Sequence, residues 1–176
     1  MKIRNILAVM VTGLILGGPN AHSFNSHAGG TALHPFGLGV EFGEPTGFTG
    51  KYWMDTNGAI DGGLSFSVNS FFLVYADYLY HFPSAFGHST PFVSQLIPYI
   101  GIGGVLFIST DNARTSKFYY ADNRDKVGLG VRVPLGIEWL PPTAPIGVFV
   151  QLIPGVGILP SSFGIFEGGL GIRYYF

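Results

Sequence analysis

The sequence has no cysteine, which excludes disulfides, thiolate metal sites, cysteine nucleophiles and a lipid anchor carried on cysteine. Charge is scarce as well. Charged residues make up 11% of the 176 residues, against about 25% in a typical soluble domain. That is too few for an ordinary water-facing surface. The formal net charge of −1 leaves no basic footprint for nucleic acid. No apolar run reaches the roughly 20 residues a spanning helix requires without a Gly, Pro or charge. What the chain has in quantity is glycine, 27 residues without a three-residue period, so collagen is excluded. Aromatic residues reach 15%, which excludes a disordered chain. The length allows one domain plus a targeting segment.

The N-terminus reads as that segment. Lys2 and Arg4 give a positive start, and residues 6–16 form an apolar run that Gly17, Gly18 and Pro19 end. Cleavage is expected after Ser23, where Ala21 and Ser23 are the small residues a signal peptidase reads, with a second site after Ala28. Residues 1–23 are therefore expected to be a cleaved signal peptide, 24–35 a linker and 36–176 the folded domain. Cleavage after Ser23 removes two cations and no acid, leaving a net charge of −3.

Beyond residue 35 the dominant period is two, the period of a strand. From residue 126 to 139, Val127, Leu129, Val131, Val133, Leu135, Ile137 and Trp139 alternate with Lys126, Gly128, Gly130, Arg132, Pro134, Gly136 and Glu138. These two sets point to opposite faces. The pattern and the turn residues predict eight strands, near 36–43, 47–54, 59–68, 71–82, 97–108, 126–139, 146–158 and 164–176. Tyr75, Tyr99 and Phe107 fall on the polar face of their strands.

Alternation alone leaves the apolar face either inside, as in a secreted lipocalin-like carrier, or outside, as in a membrane barrel. Three features favour the membrane. The polar face is mostly Gly and Ser with a few charges of both signs, a poor solvent surface but suited to a narrow lumen, where glycine relieves crowding. Aromatic residues collect at strand ends on the apolar face, namely Phe42, Tyr52, Tyr80, Phe82, Trp139, Tyr174 and Phe176, as in an interfacial girdle. A sheet in lipid must close to pair its backbone groups, and eight strands of about ten residues can both close and span. The expected fold is an all-β, eight-stranded antiparallel up-and-down transmembrane barrel.

The C-terminal run Gly169-Leu170-Gly171-Ile172-Arg173-Tyr174-Tyr175-Phe176 ends in an aromatic, with apolar or aromatic residues at alternate positions and a glycine upstream. In this the chain resembles the small eight-stranded outer-membrane barrels of Gram-negative bacteria, the OmpA/OmpX-like group. The resemblance covers residues 36–176 as architecture, and only the last strand matches a motif. It implies that the barrel-assembly machinery reads Gly171, Tyr174 and Phe176. Gly169 stands where that family commonly has a polar residue. The motif specifies sorting rather than activity.

On the expected register the lumen receives Glu41, Lys51, Asp61, Asp77, Arg132, Glu138, Glu167 and Arg173, with Gln151 between them. Glu41 and Lys51 are expected as diagonal neighbours, with Asp61 and Asp77 extending the row and sharing a proton or a water chain. Arg132, Glu138, Glu167 and Arg173 are expected as a second group. Buried charges persist when paired, so the set reads as a lumen plug that fixes register, in preference to an ion path or a catalytic cluster.

Chemistry is less legible. His81, Ser84, His88 and Ser89 with Asp77 contain the types of a lipid-A hydrolase or acyltransferase, but nothing in their spacing fixes a triad. The histidines at 22, 27, 34, 81 and 88 are too irregularly spaced for a metal site. Gly50-Lys51 lacks the Gly and Ser/Thr of a phosphate loop, since Pro45 and Tyr52 stand there. No cofactor, metal or enzymatic activity is expected. The connection 109–125 carries Phe118, Tyr119 and Tyr120 among charges of both signs and reads either as a surface for a partner or lipopolysaccharide or as a loop folded over the barrel mouth. With periplasmic termini, the connection 83–96 falls on the periplasmic side, where turns are short. Either a boundary there is misplaced or the segment folds under the lumen. The expected protein is a monomeric outer-membrane barrel, lipid-embedded, with a structural or surface-interaction role. A narrow pore or transporter, a lipid-A-modifying enzyme and a secreted carrier are the alternatives.

Overall fold

A computed structural model of the chain describes residues 34–66, 71–109, 127–159 and 162–176. The expected signal peptide, most of the expected linker and the aromatic residues Phe118, Tyr119 and Tyr120 lie outside the described residues.

Nine strand segments follow in order: β1 Phe36–Glu44, β2 Thr46–Trp53, β3 Gly58–Phe66, β4 Phe71–His81, β5 Leu96–Ser109, β6 Val127–Arg132, β7 Leu135–Trp139, β8 Ile146–Leu159 and β9 Phe163–Tyr175. Segments β6 and β7 are two halves of one strand, since both pair with β5 on one side and β8 on the other. The interruption falls at Val133-Pro134, where proline has no N–H to donate. The ladder is bridged there by the Gly101 N–H donating to the Pro134 carbonyl at 2.8 Å and the Val133 N–H donating to the Pro154 carbonyl at 2.9 Å. Sequential neighbours are antiparallel, and β1 pairs with β9, so the sheet closes into an eight-stranded barrel. The eight expected strands coincide with these to within two residues, and the side-chain parity runs unchanged through the break at Pro134.

The apolar set faces outward. Leu129, Val131 and Ile172 are exposed, whereas Arg132 and Arg173 are buried. Charged side chains among the described residues stand at positions 41, 44, 51, 55, 61, 77, 132, 138, 167 and 173, and all but Glu44 and Asp55 are buried. A water-facing barrel would place its charges the other way round. Along β5 the outward residues run from Leu96 to Ile108. Twelve steps of about 3.3 Å, tilted by about 40°, give a band about 30 Å tall, the thickness of a hydrocarbon core.

The girdle residues expected from sequence lie on this outer face. Tyr52, Tyr80, Phe82, Tyr174 and Phe176 are exposed at the end that holds both termini, with Trp139 half-buried beside them, while Phe42 is exposed near the opposite end.

The interior is layered along the barrel axis. Trp53, Ala59, Ile97, Leu140 and Tyr175 pack together at the termini end. Leu73, Tyr75, Val105, Phe107, Phe163 and Ile165 pack together at the opposite end. The buried charges lie between these layers. Inward glycines leave the room the large side chains occupy: a Cβ on Gly136 would come within 2.4 Å of the Tyr99 ring, and one on Gly157 within 2.1 Å of the Phe163 ring.

The connection 82–95 corrects one expectation. Strand β4 ends at His81 and β5 begins at Leu96, so the boundaries stand. The connection is largely exposed and includes a single 3-10 turn, Val93–Gln95, so it does not fold under the lumen.

Candidate functional site: the lumen charge network

The eight sequence-predicted lumen charges all project inward and are at most 3% exposed. They come from seven strand segments, because each strand contributes one or two positions of inward parity at the middle of the barrel. The row Lys51, Asp61, Asp77 and the pair Arg132–Glu167 fall as expected, whereas the other partners differ.

Glu41 and Lys51 are not neighbours. The tight turn after Glu44 sets a register in which Glu41 opposes Gly47 and Lys51 opposes Gly37. Lys51 instead opposes Asp61, which opposes Asp77. The expected second group divides too, with Glu138 and Arg173 joining Lys51 and Asp61, and Arg132 and Glu167 joining Asp77.

Glu138 is the hub nearer the termini. It receives the Lys51 ammonium in a buried ion pair and the Tyr175 hydroxyl at 2.8 Å, with the Arg173 guanidinium 3.7 Å away. Lys51 also donates to His81 Nε2 at 2.8 Å, and its ammonium lies 4.1 Å above the Trp53 ring. With Nε2 accepting, the ring proton sits on Nδ1, which faces the Asn57 carbonyl at 3.1 Å. Arg173 spans the middle, donating to Asp61 at 2.8 Å and to Thr49 at 2.8 and 3.3 Å while stacking on Phe149 at 3.8 Å. The Thr49 hydroxyl in turn donates a hydrogen bond to Asp61 at 3.1 Å.

The second group is Arg132, whose guanidinium donates to Glu167 at 2.7 Å, lies 3.1 Å from the Asp77 carboxylate and rests 4.1 Å over the Tyr75 ring. Glu41 is held by neutral donors, Gln151 at 2.7 Å and Tyr75 at 3.4 Å, and Gln151 in turn accepts from Tyr99 at 2.9 Å. Thr49, His81 and Tyr175 complete the network. Each shares inward parity with a charged residue two or four positions away on its own strand, and that was the available signal.

The candidate triad does not assemble around His81. Its partners are Lys51, Asn57 and Glu138, while Asp77 faces Arg132 in the other group. Ser84, His88 and Ser89 are exposed in the connection 82–95. Among the described residues, no group of three or more His, Asp or Glu side chains is arranged to hold a metal ion. The arrangement is a set of buried ion pairs and hydrogen bonds between two apolar layers.

Comparison with known proteins agrees with this architecture. The fold is similar to the N-terminal β-barrel domain of Pseudomonas aeruginosa OprF, at 17% identity and a TM-score of 0.54, covering 81% of this chain and 98% of that one. Weaker likenesses are to the outer membrane enzyme PagL, at 15% identity, a TM-score of 0.44 and coverage of 78% and 98%. The Yersinia pestis outer membrane protein Ail is similar at 13% identity, a TM-score of 0.43 and coverage of 81% and 99%. No curated protein matches the sequence. The family model described as "Protein of unknown function (DUF3996)" matches residues 31–176.

Proposed function

The chain belongs to the DUF3996 family, and we propose that it is an outer-membrane barrel with a plugged interior, acting as a structural or surface-interaction element of a Gram-negative envelope. One observation carries this reading: eight of the ten charges among the described residues are buried inside and most of these are ion-paired, while the outer face of the described strands is apolar up to their ends. In lipid, a charge turned outward at mid-depth costs about 2–4 kcal/mol for Arg or Lys. In water, the exposed band would be an aggregation surface.

The layering supports the plug. Arg132, Arg173, Lys51 and Glu138 fill the centre, and Trp53, Leu140, Tyr175, Phe107 and Phe163 close above and below. Eight strands enclose little beyond side chains. On this reading the partners are membrane lipid and lipopolysaccharide around the belt, and the barrel-assembly machinery during biogenesis, which reads Gly171, Tyr174 and Phe176. The connection between β5 and β6, with Phe118, Tyr119 and Tyr120, leaves the barrel at the end away from the termini and is the segment offered to a surface partner. The protein acts as a monomer without a cofactor.

Cell fractionation followed by planar-bilayer recording tests the reading. The protein should partition with the outer membrane, migrate faster on an unboiled gel, and give no discrete conductance steps. Recovery in a detergent-free soluble fraction would overturn the membrane assignment, and steady unitary steps would overturn the plug.

A further inference from the structure

The connection 82–95 is 14 residues long and contains no Asp, Glu, Lys or Arg. The other long connection, 110–126, has seven charged residues. Lack of charge in 82–95 is not explained by burial, since Phe82, Phe86 and Phe92 are 44%, 47% and 58% exposed. Three exposed phenylalanines on a charge-free loop are apolar surface of the kind that soluble proteins seldom leave in bulk water.

Both ends of the connection are tied to the aromatic band of the barrel. The Phe82 ring packs edge-on against Tyr80 at 5.1 Å. The Phe92 ring lies 6.2 Å from Trp139, whose indole N–H donates to Gln95 at 2.8 Å. The Leu140 N–H donates to the Gln95 carbonyl at 3.0 Å. The backbone also meets several of its needs internally: Gly87 to Ser84 at 2.9 Å, Ser94 to Thr90 at 3.1 Å and Gln95 to Phe92 at 3.1 Å. Pro83 and Pro91 have no N–H to satisfy. Internal pairing of this kind suits a layer where water is limited.

We propose that this connection lies in the interfacial layer of the bilayer at the termini end, with Phe86 and Phe92 seated at the headgroup–acyl boundary. Its occupant is lipid, because Phe82 and Phe92 at the two ends of the connection join it to the lipid-facing band through Tyr80 and Trp139. The proposal rests on the membrane-spanning reading above. It also explains how a long connection occurs on the side where turns are short: the segment extends the barrel's contact with the leaflet instead of projecting into water.

The cysteine-free chain makes the test direct. Single variants Phe86→Cys, Phe92→Cys, Ile102→Cys and Thr56→Cys are spin-labelled in the full chain, refolded into phosphatidylcholine–phosphatidylglycerol vesicles and checked for the folded gel mobility. Collision with oxygen reports lipid, and collision with a nickel chelate reports water. Labels at 86 and 92 should show an oxygen-to-nickel ratio several-fold above that at Thr56 and below that at Ile102, placing them ~5–10 Å into the interface. A lipid-like Ile102 with water-like 86 or 92 overturns this inference alone. Exclusion of both reagents at 86 and 92 means a protein covers the loop and also overturns it. A water-like Ile102 overturns the membrane reading itself.

Discussion

Arg173→Met removes a guanidinium while keeping an unbranched side chain over Phe149. The loss is local and large. Asp61 keeps only Thr49, at 3.1 Å, and gives up its 2.8 Å charge-assisted bond. Glu138 loses the approach of Arg173 at 3.7 Å but keeps Lys51 and Tyr175. One buried carboxylate is thus left without its cation, which costs about 3–5 kcal/mol. With a urea slope of about 2 kcal/mol per molar, the unfolding midpoint falls by ~1.5–2.5 M. The assay is urea unfolding in lipid vesicles, followed by tryptophan fluorescence from Trp53 inside and Trp139 outside and by gel mobility. Asp61→Asn should cost ~1–3 kcal/mol by the same reasoning. In Arg173→Met/Asp61→Asn neither charge is left alone, so the pair should cost about 2 kcal/mol less than the two singles added together. Singles that each cost under about 1 kcal/mol, or a double equal to their sum, would refute the claim that Arg173 and Asp61 form a dry ion pair.

Other substitutions separate the parts of the interior. Glu41→Gln should cost less than about 1 kcal/mol, because its donors Gln151 and Tyr75 are neutral and can pair with an amide. Glu138→Gln should cost several times more, since Lys51 would lose its counter-charge; equal midpoints for the two variants would contradict the hub. Gly136→Ala drives a methyl to 2.4 Å from the Tyr99 ring and should destabilise by ~1–3 kcal/mol, whereas Gly104→Ala, with its nearest neighbour at 3.7 Å, should be silent in the same urea titration. Phe176→Ala should lower the amount of folded barrel in the outer membrane of cells but leave refolding into vesicles unchanged; a loss in both would make the residue structural and not a sorting signal.

The faces of the barrel were legible in the sequence, and most of the cross-lumen pairings were not. From Val127 to Trp139 alternation gives the correct face for every residue, and it does so through Pro134, because breaking one ladder hydrogen bond does not change parity. Lys51, Asp61 and Asp77 could be placed in one row from the hairpins joining β2, β3 and β4. The ion pairs Lys51–Glu138, Arg173–Asp61 and Arg132–Glu167 instead cross the lumen between strands that are not neighbours. Which side chains meet across the lumen depends on the stagger accumulated around the whole closed sheet. The Glu41–Lys51 expectation failed on one such offset, as the register after Glu44 separates the two by four residues along the strand, about 13 Å.

Why a narrow, largely apolar-capped interior should contain ions at all has an answer in register. Hydrophobic residues of similar volume would fill the space as well and can be more stabilising than buried ion pairs. Stretches of β5, β6, β8 and β9, however, are built from Gly alternating with Val, Ile, Leu and Phe, a pattern that matches itself after a shift of two. A one-residue slip of β9 would turn Glu167 and Arg173 toward lipid, and Arg173 alone would then cost about 2–4 kcal/mol at mid-depth. A two-residue slip keeps the faces but carries Arg173 about 7 Å along the strand from Asp61 and Thr49, and Glu167 equally far from Arg132. Apolar pairs would tolerate that second slip with modest repacking, whereas the ion pairs do not. The charges therefore distinguish one closure of the barrel from its near-equivalents, a task that the apolar face cannot perform.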